Sequence, residues 1–163
     1  MSDIRFTDMD DIELLAAAVR LAQDNATRGG GPFGALIARE GEVIATGSNR
    51  VTANLDPTAH AEVTAIRAAC TKLGAFSLDG YVLISSCEPC PMCLASALWA
   101  RVDRIVYAAD RDDAARAGFD DTAFYQLFDS PRDTWPVPVV RHAGVDGTPP
   151  FTAWLNNPDR TEY

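Results

Sequence analysis

Apolar residues recur in the first part of the chain at the spacing of one helix face. Ile12, Leu15 and Val19 lie three or four positions apart, and the stretch TRGGGP ends the pattern. Because residues three and four apart share a face of an α-helix, the spacing predicts a helix over residues 11–26. The next apolar run, FGALIAREGEVIATG, divides around residues 40–41, which predicts two short antiparallel strands joined by a tight turn.

The remainder of the chain alternates apolar strands with helical segments. Strands are predicted at YVLISS, RIVYAA and VPVVRH, and helices at HAEVTAIRAACTKLG, PMCLASALWARV, DDAARAG, DTAFYQLF and FTAWLNN. Gly74 ends the first of these helices, and Pro91 stands in the first turn of the second, where its missing N–H costs little. Alternation from Tyr81 onward implies parallel neighbours joined by crossovers. We therefore expect one α/β domain over residues 1–163, a three-layer α/β/α sandwich around a mixed sheet of about five strands.

Composition and charge narrow the classes of function. The 163 residues are 47% hydrophobic and 23% charged, which is typical of a soluble globular protein. Lys and Arg number 14 and Asp and Glu 23, giving a formal charge of −9, and no basic run occurs. Such a surface repels a polyphosphate chain, so no nucleic-acid partner is expected. The sequence has neither a secretory-signal pattern nor a long apolar run, which predicts a cytoplasmic protein without membrane association.

The chain has only two histidines and four cysteines, and most of them cluster. His60 begins one predicted helix, and Cys90 and Cys93 begin another. We expect the N-termini of these two helices to converge on one site. One imidazole and two thiolates are ligands that zinc takes, and three protein ligands leave a fourth position for water. Glu62, two residues after the histidine, could take a proton from that water and pass it to a leaving group.

Other interpretations of the same residues remain open. Three cysteines at two-residue intervals also occur in iron–sulfur sites, but the required fourth cysteine could only be Cys70. Cys87 ends an alternating apolar strand and is interpreted as a buried structural residue. Cys70 and His142 are interpreted as a core thiol and a strand or surface histidine. A closed structural zinc site with Glu62 as fourth ligand is a further alternative, although carboxylate ligands are unusual there.

His-x-Glu followed by Pro-Cys-x-x-Cys is a known signature of zinc-dependent nucleobase deaminases. With GPFGALI, GSNRV, HAEVTAIRAAC, SSCEPCPMCLASALWAR, YAADRDDAARAGFDD and the terminal EY, the sequence resembles the cytidine-deaminase-like superfamily, in the branch that includes small bacterial guanine deaminases. The resemblance covers most of residues 31–163. It implies hydrolysis of guanine to xanthine and ammonia, one Zn²⁺ per subunit held by His60, Cys90 and Cys93, and proton transfer by Glu62.

The resemblance also implies a set of substrate contacts. Asn49 would hydrogen-bond the purine ring or its carbonyl edge, or it would only close a turn. Asp121 is both a catalytic and a substrate-binding candidate that would accept hydrogen bonds from the base N–H groups, or it would cap the following helix. Phe33 and Trp99 would stack on the base or fill the core. Ala61 is also assigned to substrate binding.

Tyr163 belongs to the segment NNPDRTEY, which in similar proteins crosses to a partner subunit and closes its active site. The resemblance thus implies a homodimer with an exchanged tail, in which Tyr163 contributes to substrate binding. Deaminases of cytosine, an aminotriazine or adenosine in tRNA remain alternatives, as does a structural metal-binding module without turnover. The loops SPRDTWPVP and HAGVDGTPP depart from the pattern and could reshape the lid over the pocket, so the substrate is less constrained than the reaction.

Overall fold

A computed structural model describes residues 10–163, which form two compact units. The first unit extends to Thr122, and the second comprises Ala123–Tyr163. The first contains α1 (Asp11–Thr27), β1 (Gly34–Arg39), β2 (Glu42–Ser48), α2 (Val51–Asn54), α3 (Ala61–Leu73), β3 (Val82–Cys87), α4 (Pro91–Trp99), β4 (Arg104–Ala109) and α5 (Arg111–Arg116). Then follow α6 (Thr122–Asp129), a 3₁₀ turn (Arg132–Thr134) and α7 (Pro149–Asn156). None of the helices within the described range is long and apolar enough to cross a membrane.

The sheet of the first unit is mixed, with strand order β2-β1-β3-β4. The strand β1 pairs antiparallel with both β2 and β3, whereas β3 and β4 are parallel and are joined through α4. Between β1 and β2, Glu40 and Gly41 both have positive φ angles, of 49° and 77°. Two such residues match the twist of a tight hairpin, so the predicted turn at this position is confirmed.

Helices cover both faces of the sheet. On one face, Ile37 and Leu83 pack with alanines of α3 and α4, and on the other face Leu36 and Ile84 pack with Leu14 of α1. All four of these strand residues are at most 1% exposed. Neighbouring strand positions point to opposite faces, so burial of consecutive residues requires cover on both. The predicted three-layer α/β/α architecture is therefore confirmed for this unit.

The predicted strand count was one too high, because VPVVRH is not a strand. Val137, Val139 and Val140 are 66%, 54% and 67% exposed, and no other strand of residues 10–163 pairs with them. A strand needs a neighbour for its backbone N–H and C=O groups, and an apolar β-branched run cannot supply that neighbour itself. The single-domain prediction extends over residues 1–9, outside the described range, and stays a prediction.

The second unit has little interior of its own. No residue of Ala123–Tyr163 is fully buried, and Phe124, Phe151 and Leu155 are 58%, 68% and 66% exposed. Within it, Phe128 lies edge-on to Trp135 at 5.4 Å and Trp154 lies edge-on to Tyr163 at 6.3 Å between ring centroids. This unit thus does not fully bury its large apolar side chains in an interior of its own.

Candidate metal centre and active site

Two helix starts bring the three predicted metal ligands together. His60 immediately precedes α3 and Cys90 immediately precedes α4, both with extended backbone, and Cys93 lies in the first turn of α4. The His60 Nδ1 atom is 3.6 Å from Cys90 Sγ and 3.5 Å from Cys93 Sγ. The three donor atoms all lie within 4.8 Å of one another. Neither cap residue uses its side chain to cap its helix, so both side chains are directed to this cluster.

The spacing of the cluster fits zinc. Tetrahedral coordination with Zn–S about 2.3 Å and Zn–N about 2.0–2.1 Å places nitrogen and sulfur roughly 3.6 Å apart. The two observed nitrogen–sulfur distances agree with that value. Cys93 is buried, whereas His60 and Cys90 are partly exposed, so the cluster can be reached from solvent on one side.

The surroundings stabilise a thiolate at this point. The pKa of the Cys90 thiol is lowered to about 4, chiefly by hydrogen bonds from Cys93 and His60 to its thiolate. The same contact with Cys90 raises the pKa of the His60 imidazole. The N-termini of α3 and α4 add partial positive charge that stabilises a thiolate. A thiolate ligand is therefore available at neutral pH.

Glu62 lies beside this cluster in a nearly dry position. It is 5% exposed, and its Oε1 accepts a 3.0 Å hydrogen bond from Ser85 Oγ while its Oε2 is 3.4 Å from Cys93 Sγ. Burial raises the pKa of the Glu62 carboxyl. The first turn of α3 can approach the sheet because Gly47 has no side chain, since a Cβ there would collide with the Ala61 carbonyl oxygen. A carboxylate that gains a proton readily is thereby held next to the metal ligands.

Asp121 lies near enough to the cluster to interact electrostatically with Cys90 and His60. Its Oδ1 atom is buried and has no hydrogen-bond partner in the part of the chain that the structure describes. Burial is the main cause that raises the pKa of its carboxyl, and the thiolate of Cys90 raises it further. This oxygen does not cap α6, because it accepts no hydrogen bond from the described residues. The Oδ1 atom of Asp121 is thus available to accept a hydrogen bond from a bound molecule.

The loop that precedes α2 carries Asn49. Its Oδ1 accepts from the N–H of Val51 at 3.3 Å, which is the predicted turn closure, and none of the hydrogen bonds within residues 10–163 uses its Nδ2. The buried Asn25 of α1 donates to the carbonyl oxygens of Gly31 and Asn49, at 2.8 and 3.0 Å. Phe33 packs on the core and meets Phe119 edge-on, with centroids 5.0 Å apart.

The structure does not bring every predicted substrate contact to the cluster. The Ala61 side chain is fully buried in the core. Trp99 is the last residue of α4, roughly 13 Å along the helix from Cys90, and is 66% exposed. Tyr163 belongs to the second unit, where it contacts Trp154. The substrate roles of these three residues stay predictions.

The competing metal arrangements are not formed. Neither Cys70 nor Cys87 joins the cluster found in the described residues, and Glu62 is not among its donor atoms. The thiol of Cys87 is buried near the Asp110 carbonyl, and burial raises its pKa to about 11, so the structural interpretation of Cys87 is confirmed. A four-cysteine iron–sulfur site and a closed zinc site with Glu62 therefore lack their fourth ligand. His142 is an exposed loop residue.

Sequence reasoning missed three residues around the site. Ser85 binds Glu62, Phe119 pairs with Phe33, and Arg111 binds Glu88, the residue between Cys87 and Pro89. Only Ser85 had a signal in the sequence, because a serine in the alternating strand YVLISS faces the same side as Cys87. The other two contacts join segments far apart in the chain and have no local pattern.

The comparison with known families agrees with this geometry. Residues 8–109 match the family described as the cytidine and deoxycytidylate deaminase zinc-binding region. The chain belongs to this deaminase family. The family and the cluster of His60, Cys90 and Cys93 together identify zinc as the cofactor of a hydrolytic deaminase.

Relatives within the deaminase family include one that matches along its whole length. The guanine deaminase of Bacillus subtilis is 48% identical over 156 residues, which is 95% of this chain and 100% of the relative. The X-ray structure of guanine deaminase from Bacillus subtilis superposes with a TM-score of 0.91, covering 95% of this chain and 99% of that one at 48% identity. The tRNA-specific adenosine deaminase of Aquifex aeolicus is 39% identical over 95 residues, 58% of this chain and 63% of the relative.

Proposed function

We propose that this protein hydrolyses guanine to xanthine and ammonia. The observation that carries the proposal is the buried, unpartnered Oδ1 of Asp121 beside the zinc ligands. Guanine presents N–H donors next to C2, the carbon that loses its amino group, and a carboxylate can accept from them. The whole-length similarity to a guanine deaminase supports the same substrate.

In this proposal each residue of the site has one task. His60, Cys90 and Cys93 hold the zinc ion, which when bound makes water nucleophilic at neutral pH. Glu62 takes a proton from the attacking water and delivers it to the leaving nitrogen as the C2–O bond forms and the C2–N bond breaks. Its buried position and raised pKa suit a group that must carry a proton.

The remaining contacts orient the base. Asp121 accepts from the ring N–H groups, and the Nδ2 of Asn49 donates to the ring or its carbonyl edge. Phe33 stacks on the base from the core side, with its ring held by Phe119. Ala61, Trp99 and Tyr163 complete the proposed contact set.

Adenosine in tRNA is the main alternative substrate, because a tRNA-specific deaminase is 39% identical over 58% of this chain. The formal charge of −9 opposes it, since tRNA binding relies on phosphate contacts from Lys and Arg. Cytosine and aminotriazines would need a different set of donors opposite Asp121. A free purine is therefore the preferred substrate. The protein would then act in purine catabolism in the cytoplasm.

We also infer a homodimer with an exchanged C-terminal segment. Ala123–Tyr163 buries no residue fully and exposes several large apolar side chains, among them Phe124, Phe128 and Trp154 at 58%, 64% and 38%. Apolar area of this kind is stabilised by a partner surface, and a second copy of the chain supplies one by symmetry. In this arrangement Tyr163 reaches the substrate of the partner subunit.

Ammonia release from guanine, guanosine, adenine, cytosine and an aminotriazine tests the substrate. We expect release from guanine by the zinc-loaded protein. Release from another compound alone would contradict the guanine assignment, and no release from any of the five would favour a binding protein.

Replacing Glu62 tests the reaction type. Glu62→Gln should retain about one zinc per chain but lose roughly 10²- to 10⁴-fold in kcat, since the amide cannot accept the proton. Glu42→Gln is a matched control on the exposed edge of β2 and should retain full activity. If Glu62→Gln loses zinc in proportion to activity, Glu62 is a ligand and the proton-transfer role is wrong.

A further inference from the structure

Ser85 carries a buried hydroxyl in the middle of the sheet. Its backbone lies between Ala35 of β1 and Tyr107 of β4, and the residue is 1% exposed. Its Oγ donates a 3.0 Å hydrogen bond to Oε1 of Glu62. A strand paired on both sides moves little, so this bond ties one carboxylate oxygen to a rigid part of the molecule.

The two oxygens of Glu62 therefore have different surroundings. The Oε1 atom points to Ser85 on the sheet, whereas Oε2 lies 3.4 Å from Cys93 Sγ in the metal cluster. The last torsion of a glutamate side chain is soft, so without a fixed partner the two oxygens can rotate away from these positions. Rotation of Glu62 would break a hydrogen bond to a charged group in a dry site, where such bonds are strong.

We propose that Ser85 is a positioning residue for Glu62, holding Oε1 so that Oε2 takes and returns the proton beside the zinc ligands. This inference rests on the proposed function, because it assigns a role within that reaction. Proton transfer needs the accepting oxygen within hydrogen-bond reach of the water, and a misplacement of about 1 Å can cost roughly 100-fold in rate. The hydroxyl of Ser85 binds Glu62, and Ser85 is not one of the zinc ligands.

A matched pair of variants separates the hydroxyl from the shape of the side chain. Threonine and valine have nearly the same branched shape and both suit a strand, but only Ser85→Thr keeps the hydroxyl donor. We expect Ser85→Val to have a kcat roughly 10- to 100-fold below that of Ser85→Thr, with KM values within about threefold. Both variants should bind about one zinc per chain and unfold cooperatively.

Two results would overturn this role. Equal kcat values for the two variants would mean that the hydroxyl does not act on catalysis. Loss of zinc or of cooperative unfolding in Ser85→Val alone would mean that the hydroxyl supports the structure rather than the proton transfer.

Crystal structures of both zinc-loaded variants give a readout that does not depend on turnover. The Glu62 carboxylate should keep its orientation in Ser85→Thr and should rotate or adopt two orientations in Ser85→Val. If the unaltered protein releases no ammonia from guanine, the proposed substrate is wrong, and these structures still decide the positioning. An unchanged Glu62 orientation in Ser85→Val would overturn the proposal.

Discussion

Asp121 combines an energetic cost with a chemical use. A buried carboxylate oxygen without a partner destabilises the folded protein, since its lost hydration is not replaced. The raised pKa of the Asp121 carboxyl has the same cause. When the pKa of a carboxyl is higher in the folded than in the unfolded protein, the free energy of unfolding falls as pH rises from the unfolded pKa through the folded pKa. Such a group is typical of a binding site, where the missing partner is supplied by a ligand.

Asp121→Asn should therefore separate activity from stability. The amide keeps the size of the side chain but cannot act as an acceptor at both atoms, so kcat/KM for guanine should fall by about 100-fold or more. The melting temperature at pH 7 should stay equal or rise, because no charge remains buried. Steady-state kinetics and thermal unfolding of the zinc-loaded protein measure the two effects, and a lower melting temperature with unchanged kinetics would assign Asp121 a structural role.

At the scale of elements, the segment that leads into the metal ligands of α4 is held by an ion pair. The segment between β3 and α4 carries Glu88, whose carboxylate accepts from the backbone N–H, Nε and Nη2 of Arg111 at 3.1, 3.1 and 2.5 Å. Hydrogen bonds from Arg111 lower the pKa of Glu88. The Glu88–Arg111 ion pair thus holds the segment that leads to Cys90 against the start of α5.

The Glu88–Arg111 pair should contribute stability that depends on pH. A carboxyl whose folded pKa is lowered stabilises the fold above its unfolded pKa and loses that contribution as pH falls through the folded pKa. Glu88→Gln should reduce the free energy of unfolding by about 1–2 kcal/mol at pH 7. The difference from the unaltered protein should shrink below pH 4.5, the ordinary value for glutamate.

Denaturant unfolding of both proteins at pH 7 and at about pH 3.5, roughly one unit below the ordinary glutamate pKa, checks this expectation. The exposed variant Glu42→Gln serves as the control and should change little at either pH. A difference that is the same at both pH values would mean that packing of the Glu88 side chain, and not its charge, stabilises the segment.

At the scale of the whole molecule, the apolar residues of Ala123–Tyr163 have no interior to fill. α6 and α7 both have apolar residues at helical spacing, yet none of these residues is fully buried. Helices of eight residues are marginal in water without tertiary packing. A partner surface would stabilise them, which is the physical basis for expecting an exchanged segment.

Complementation between two inactive proteins tests the exchange. A chain ending at Asn157 keeps its metal site but lacks Tyr163, and full-length Glu62→Gln keeps the tail but lacks the proton carrier. Each alone should have little activity, whereas co-expression in equal amounts should restore about a quarter of the normal activity, because roughly half of randomly paired dimers are mixed and each mixed dimer has one complete site of two. No recovery in proven mixed dimers, or full activity of the shortened chain alone, would rule out exchange.

Local pattern was sufficient for most elements and for the metal ligands. The helix over residues 11–26, the turn at Glu40 and the helix end at Gly74 were predicted within a residue of their observed places, since periodicity and turn chemistry act over a few positions. The predicted helix starts at residues 60 and 90 were sufficient to place His60 at the N-terminus of one helix and Cys90 and Cys93 at the N-terminus of another. The sequence determined these features because each depends on neighbours along the chain.

Other features were decided only by the tertiary structure. Ser85 and Glu62 are 23 positions apart, as are Glu88 and Arg111, and Asn25 supports Asn49 across 24. Each of these bonds depends on the assembled sheet, because strand order and helix packing, and not spacing along the chain, bring the two partners together. The same reason explains the missing fifth strand, since an apolar run becomes a strand only where another strand offers its backbone.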